Sequence, residues 1–146
     1  MRKQLILITA MATIASGTAQ AATMRYDCHA PGSVSTYLDV DTTAKTVMTA
    51  EAAGKGGTDF PRQSMCSILK SIVQAGLGDN ASKYTDVAQC TVAFGQSAIV
   101  SDLISTTPPY DFAMSIVFDM KALTLTSIGR FGSKGAYTLT VPCKQL

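Results

Sequence analysis

From Tyr110 to Met120 the chain alternates without a break. Tyr110, Phe112, Met114, Ile116, Phe118 and Met120 take one set of positions, and Asp111, Ala113, Ser115, Val117 and Asp119 take the other. Strand side chains point to opposite faces with a period of two, so the segment predicts a half-buried β-strand with its large residues on one face. Two further strands follow. Leu123 to Ile128 comes after a turn over Asp119 to Ala122, and Ala136 to Cys143 comes after Gly132-Ser133-Lys134-Gly135. Together they predict an antiparallel meander. In the last strand Tyr137, Leu139, Val141 and Cys143 share a face, and Pro142, which has no ladder donor, predicts an edge strand or a strand end.

The N-terminal half carries weaker signals of the same kind. Met24 to His29, Ser33 to Val40 and Lys45 to Ala50 read as short strands, the last two joined by a turn at Asp41 to Ala44. The turn Leu38-Asp39-Val40-Asp41 into Lys45-Thr46-Val47 echoes Val117-Phe118-Asp119 into Leu123-Thr124-Leu125, which predicts similar hairpins. One helix lies between the β regions. Met65, Ile68, Leu69, Ile72 and Val73 recur at the helical period, Thr58 or Asp59 can cap it, Pro61 suits its first turn, and Gly76 and Gly78 stop it. Tyr84 to Phe94 alternates as a strand, while Gly95 to Thr107 reads equally as a short helix or as strand plus loop before Pro108-Pro109.

The first residues address the chain. Arg2 and Lys3, the apolar run Leu5 to Ala15, and Ala19-Gln20-Ala21 have the pattern of a bacterial signal peptide over residues 1–21, leaving a single mature domain over residues 22–146. The run of 11 residues rises about 16 Å as a helix, against a hydrocarbon core of about 30 Å, so it does not span. No cysteine follows closely enough to take a lipid, and the expected location is the periplasm or the exterior. Cleavage turns 12 basic and 10 acidic residues into 10 of each. The remaining Lys and Arg are scattered, which offers no footprint for nucleic acid or an anionic membrane.

Cys28, Cys66, Cys90 and Cys143 make an even count with no C-x-x-C pair, the pattern of structural disulfides in an exported chain. Three pairings are possible. The preferred one joins Cys28 to Cys143, first strand to last, and Cys66 to Cys90, helix to strand.

The census for chemistry is thin. His29 is the only histidine, G-x-S-x-G, H-E-x-x-H and the calcium-loop pattern are absent, and no metal or cofactor is expected. Gly54-Lys55-Gly56 before the helix departs from a phosphate loop, in which Lys is followed by Ser or Thr. The scattered methionines read as core filler rather than copper ligands, and Asn80-Ala81-Ser82 as an exposed turn. Two sets of residues remain as candidates. Lys55 and Phe60 in the Gly-rich loop, with Arg130 and Phe131 near the last hairpin, are candidate contacts for a protein partner. Tyr110, Phe112 and Phe118 are candidate contacts for a small apolar ligand if the sheet curls around a cavity, and plain core if it packs on the helix.

Tyr26-Asp27-Cys28, a β-rich body and Cys143 in the last strand resemble, over a handful of residues, the small periplasmic inhibitors of c-type lysozyme. Those are disulfide-closed barrels acting through a Ser- and Gly-containing loop. Ser127 to Gly135 is the distant analogue here, in a different order, and the central helix departs from the pattern, so no site residues carry over. The expectation is an α+β domain of six to eight mostly antiparallel strands, as a sandwich or half-open barrel, with one main helix packed on the sheet and two disulfides. The expected function is non-enzymatic binding of another exported or envelope protein through loops, in an inhibitor- or immunity-like role. The alternatives are a carrier of a small apolar ligand and a small hydrolase using His29.

Overall fold

The computed structural model describes residues 22–51, 61–78, 81–108, 111–131 and 135–146. Three short strands open the chain: β1 (Met24–Cys28), β2 (Thr36–Asp41) and β3 (Thr46–Glu51). After β4 (Gln63–Ser64) come α1 (Met65–Leu77) and α2 (Ala81–Thr85). The meander follows: β5 (Gln89–Phe94), β6 (Ala98–Ser105), β7 (Phe112–Asp119), β8 (Thr124–Phe131) and β9 (Ala136–Gln145). Every neighbouring pair is antiparallel, in the order β4-β3-β2-β1-β9-β8-β7-β6-β5, and the sheet forms a half-barrel.

The count is nine strands rather than six to eight, and there are two helices rather than one. Three segments account for the difference. Gly95 to Thr107 resolves into a tight turn and β6, whose Ile99, Ser101, Leu103 and Ser105 are buried at every second position. The start of the expected Tyr84 to Phe94 strand is instead helical, and Tyr84 turns its ring toward Phe112, centroids 6.1 Å apart. The third is β4, whose two residues pair with Met48 and Thr49 of β3 immediately before the helix. The helix therefore starts later than expected. Ser64 is its N-cap, its hydroxyl accepting from the Ser67 N–H at 3.2 Å. Pro61 lies ahead of β4, and Thr58 and Asp59 fall outside the described residues. At the other end Gly78, with φ of 60°, donates its N–H to Gln74.

The two echoing hairpins share one turn. Asp41 Oδ1 accepts from the backbone of Thr43 and Ala44 at 2.9 and 2.7 Å, and Asp119 Oδ1 from Lys121 and Ala122 at 2.9 and 2.8 Å. Each closes through a residue in the left-handed region, Lys45 at φ 54° and Leu123 at φ 53°. An aspartate that caps its own turn pins hairpin register without glycine.

The concave face of the sheet holds the core. Tyr26, Leu38, Val40, Val47, Ile99, Leu103, Phe112, Met114, Ile116 and Phe118 are buried there, and Met65, Leu69 and Val73 of α1 pack onto them. Tyr26 meets Phe118 edge-on at 4.7 Å between centroids. Contacts of α1 run to β3 and β4 on one side and to β5 and β6 on the other. The helix thus lies across the gap between the two ends of the open sheet. It is tied to both, by chain continuity to β4 and by the Cys66–Cys90 disulfide to β5. The β4 edge is short, and the β5 edge is bridged to α1 at Cys90.

The last strand is interior only beyond Pro142 and does not end there, which corrects part of the reading of Pro142. β9 pairs with β8 from Ala136 to Pro142, then with β1 from Cys143 to Gln145, so it passes the sheet from one neighbour to the other. Pro142 marks the handover. Its carbonyl accepts from the His29 N–H at 3.2 Å, but it has no N–H to return to His29, so the β1 ladder stops at Cys28. The Cys28–Cys143 disulfide sits one position further, between directly opposed residues whose Cα atoms are 4.0 Å apart.

On the convex face Asp39 is nearly buried beneath two arginines. Arg25 reaches it with two bonds, Nε to Oδ1 at 2.7 Å and Nη2 to Oδ2 at 3.0 Å, and Arg62 Nε lies 2.7 Å from Oδ2. The hydrogen bond from Arg25 is the largest influence on this carboxyl. Burial opposes it and the charges of Arg25 and Arg62 reinforce it, so Asp39 ionises below its ordinary value.

Candidate functional site

Because α1 covers the β3 to β6 side of the concave face, the part formed by β8, β9 and β1 is left partly open. A cleft of about 570 Å³ occupies it. Its floor is Ile116, Leu125, Val141, Leu38 and the Cys28 end of the disulfide, with Leu139 running from floor to rim; its helical wall is Met65, Ile68, Ile72 and Ala75. The helix stripe is therefore divided. Met65, Leu69 and Val73 face the core, whereas Ile72 is 39 % exposed along the cleft. Leu139 and Val34, each 59 % exposed, complete an apolar rim. Polar groups are few: Thr36, Thr49 and Glu51 at one end, Ser127 on the floor between Ile116 and Leu139, and Ser33, Ser71 and His29 around the mouth.

His29 is held from one side. Its Nδ1 lies 2.9 Å from Asp27 Oδ1, and Ser35 Oγ approaches the same nitrogen at 3.4 Å. A nucleophile–base–orienter relay uses the two ring nitrogens separately, one for the serine and one for the carboxylate. Here both partners address Nδ1, so the trio positions the ring and does not activate Ser35. Among the described residues no group of three or more His, Cys, Asp or Glu is placed to hold a metal ion.

The residues singled out from sequence are dispersed. Phe112 and Phe118 are fully buried in the core and do not line the cleft, while Ile116, on the same face between them, does. Their alternation marks the concave face, but core neighbours cover both rings, Tyr26 at Phe118 and Tyr84 with Phe131 at Phe112. Phe131 stacks on Phe112, with centroids 6.0 Å apart and planes at 20°, so it packs on the core rather than pointing away from it. Arg130 is exposed, one position along and hence on the opposite face from the cleft. Lys55, Phe60 and Tyr110 lie outside the described residues. The residues that sequence reasoning missed are Ile68, Ile72, Leu139 and Val34. The first three sit at core-type positions of their helix or strand, and only the tertiary arrangement shows that they line the cleft.

Both disulfides are formed, Cys28–Cys143 and Cys66–Cys90, and no helix among the described residues is long and apolar enough to cross a membrane. This combination is consistent with an extracellular or secreted protein. No protein-family model matches the chain, and no curated protein or solved structure is significantly similar to it.

Proposed function

We propose that this chain is an exported, non-enzymatic binding protein whose site is the apolar cleft between α1 and the β8–β9–β1 part of the half-barrel. The observation that carries this reading is the cleft itself, about 570 Å³ with an apolar floor and an exposed apolar rim. Protein interiors pack to the density of organic crystals, so a space of this size is a shape the fold maintains rather than loose packing. It falls within the roughly 300 to 1,000 Å³ range of ligand sites, which are mostly apolar with a few polar groups that fix orientation.

Leaving Leu139, Val34 and Ile72 exposed costs about 25 cal/mol for each Å² of apolar surface kept in water, and a ligand that covers them recovers it. The ligand on this reading presents an apolar group to the floor and a polar function to His29 and the serines at the mouth. Its source is a partner protein or a small apolar molecule, and both would enter by the same mouth. Hydrolysis by His29 has no support from the geometry, since the serine beside it is on the wrong ring nitrogen.

The test is titration of the folded protein with the apolar fluorophore 1-anilinonaphthalene-8-sulfonate. Saturable binding is expected, weakened at least tenfold in Leu139→Asp and in Ile72→Asp, both of which are exposed enough to keep the fold. Absence of saturable binding, or equal affinity in both variants with unchanged melting, would overturn the reading.

A further inference from the structure

We infer that the occupant of the cleft is an extended segment of another polypeptide, added as a strand to the open edge of β9; this inference rests on the cleft being the binding site. β1 leaves the ladder at Cys28, so the stretch of β9 from Ala136 to Val141 has β8 on one side and, among the described residues, no strand on the other. Backbone groups along a strand point alternately to its two sides. The Cys143 N–H turns toward β8, where it donates to Leu123, and the Pro142 carbonyl turns toward β1, where it accepts from His29. Counting back by twos, Val141, Leu139 and Tyr137 bond to β8, and Thr140, Thr138 and Ala136 aim their N–H and C=O groups outward. Among the described residues no backbone hydrogen bond from another segment meets them on that side.

Edge strands in native sheets are blunted by shortness, covering elements or charge. β5 is bridged to α1 at Cys90 with Gln89 and Thr91 to Ala93 exposed, and β4 follows that rule, being two residues long. The outer half of β9 does not. Ala136-Tyr137-Thr138-Leu139-Thr140-Val141 has no charged residue, and Ala136 to Thr140 are all exposed.

The edge and the cleft adjoin, since Leu139 and Val141 are both β9 residues and cleft floor. A strand laid along this edge continues the pleat, so every second side chain falls over the cleft while its backbone meets Thr138 and Thr140. That geometry selects a polypeptide. A lipid or other small apolar molecule fills the cleft without using the outward amides. A second copy of this chain, paired β9 to β9, uses the same outward amides, and self-association is the outcome of the test that would replace the peptide. Pro142 sets the register by ending the available ladder, and the expected segment is uncharged, with apolar residues at alternate positions.

The experiment uses a synthetic octapeptide of alternating valine and threonine, and the same peptide N-methylated on alternate amides. Binding is followed by amide resonances and hydrogen exchange of the isotope-labelled protein. The unmodified peptide is expected to bind and to slow exchange of the Thr138 and Thr140 amides at least tenfold; the methylated pattern that blocks the edge-facing amides is expected to bind at least tenfold more weakly. Thr138→Pro removes an N–H that faces outward and leaves the β8 ladder intact, a position where proline is tolerated. It should abolish peptide binding while retaining the fluorophore in the cleft.

Peptide binding that leaves the Thr138 and Thr140 amides unprotected would overturn strand addition, as would undiminished binding to Thr138→Pro. So would self-association through β9 in place of peptide binding. If the fluorophore still binds in those cases, the cleft stands as a site for another ligand; if neither probe binds, both readings fall.

Discussion

Removing each disulfide separately should reveal two different costs. Cys28 and Cys143 are 115 residues apart in sequence and Cys66 and Cys90 are 24 apart. In the chain-entropy account the cross-link acts on the unfolded ensemble, with a term that grows as the logarithm of the closed loop. It gives about 4.8 kcal/mol for the long loop and about 3.4 kcal/mol for the short one at 25 °C. Paired alanine substitutions avoid burying a new hydroxyl at Cys28, which is 1 % exposed, and removing that side chain adds a small packing loss to the first figure. Since domains of this size are stable by only about 5 to 15 kcal/mol, Cys28→Ala/Cys143→Ala should lie near the limit of folding at 37 °C, and Cys66→Ala/Cys90→Ala should remain folded. Urea unfolding with a slope of about 1.5 kcal/mol/M translates the two costs into midpoint decreases of about 3 M and about 2 M. Equal losses, or a larger loss on opening Cys66–Cys90, would refute the reasoning. The bridge from α1 to β5 would then act mainly through the native geometry of the helix and not through loop closure.

Two smaller perturbations test the two faces of the sheet. Asp39 has a depressed carboxyl pKa in the folded state, so it contributes stability above its unfolded value of about 4, and that contribution is lost as pH falls through the lower folded value. Asp39→Asn should cost about 1 to 3 kcal/mol at pH 7 and flatten the loss of unfolding free energy below about pH 4, read from urea titrations at several pH values; an unchanged acid limb would exclude the pair as its origin. On the concave side, Ser101 is fully buried and its Oγ has no hydrogen-bond partner among the described residues. Ser101→Ala should therefore raise stability by about 1 kcal/mol, and a decrease would show that the hydroxyl is satisfied in the native protein.

What could be read in the sequence was what local periodicity encodes. The β7 alternation, the turn aspartates Asp41 and Asp119 and the helix stripe all act over a few residues, and each appears in the fold as a strand face, a capped hairpin and a packed helix. Ala81 to Thr85 escaped because a five-residue helix is too short to show a period beside the genuine alternation of β5. Pro142 misled for a different reason. Its missing donor does end the β1 ladder, but the strand continues through it because β9 changes neighbours at that residue, a change that only long-range pairing shows. The site was the least legible part. Leu69 and Ile72 belong to one apolar stripe, yet one is sealed and the other lies open, because the decision depends on how far the helix reaches across a sheet built from both ends of the chain.

The join between β1 and β9 also orders the assembly of the protein in time. Hairpins such as β6–β7 and β7–β8 close over a few residues, whereas bringing Cys28 beside Cys143 closes a loop of 115 residues, and contacts so distant in sequence form late and slowly. Until β9 arrives, β1 has a partner only in β2, and the Cys28 thiol is exposed to exchange with either of the other cysteines. The cleft, with its floor drawn from both sides of that join, thus comes into being only at the final step, so a chain caught before it would carry native hairpins and no cleft.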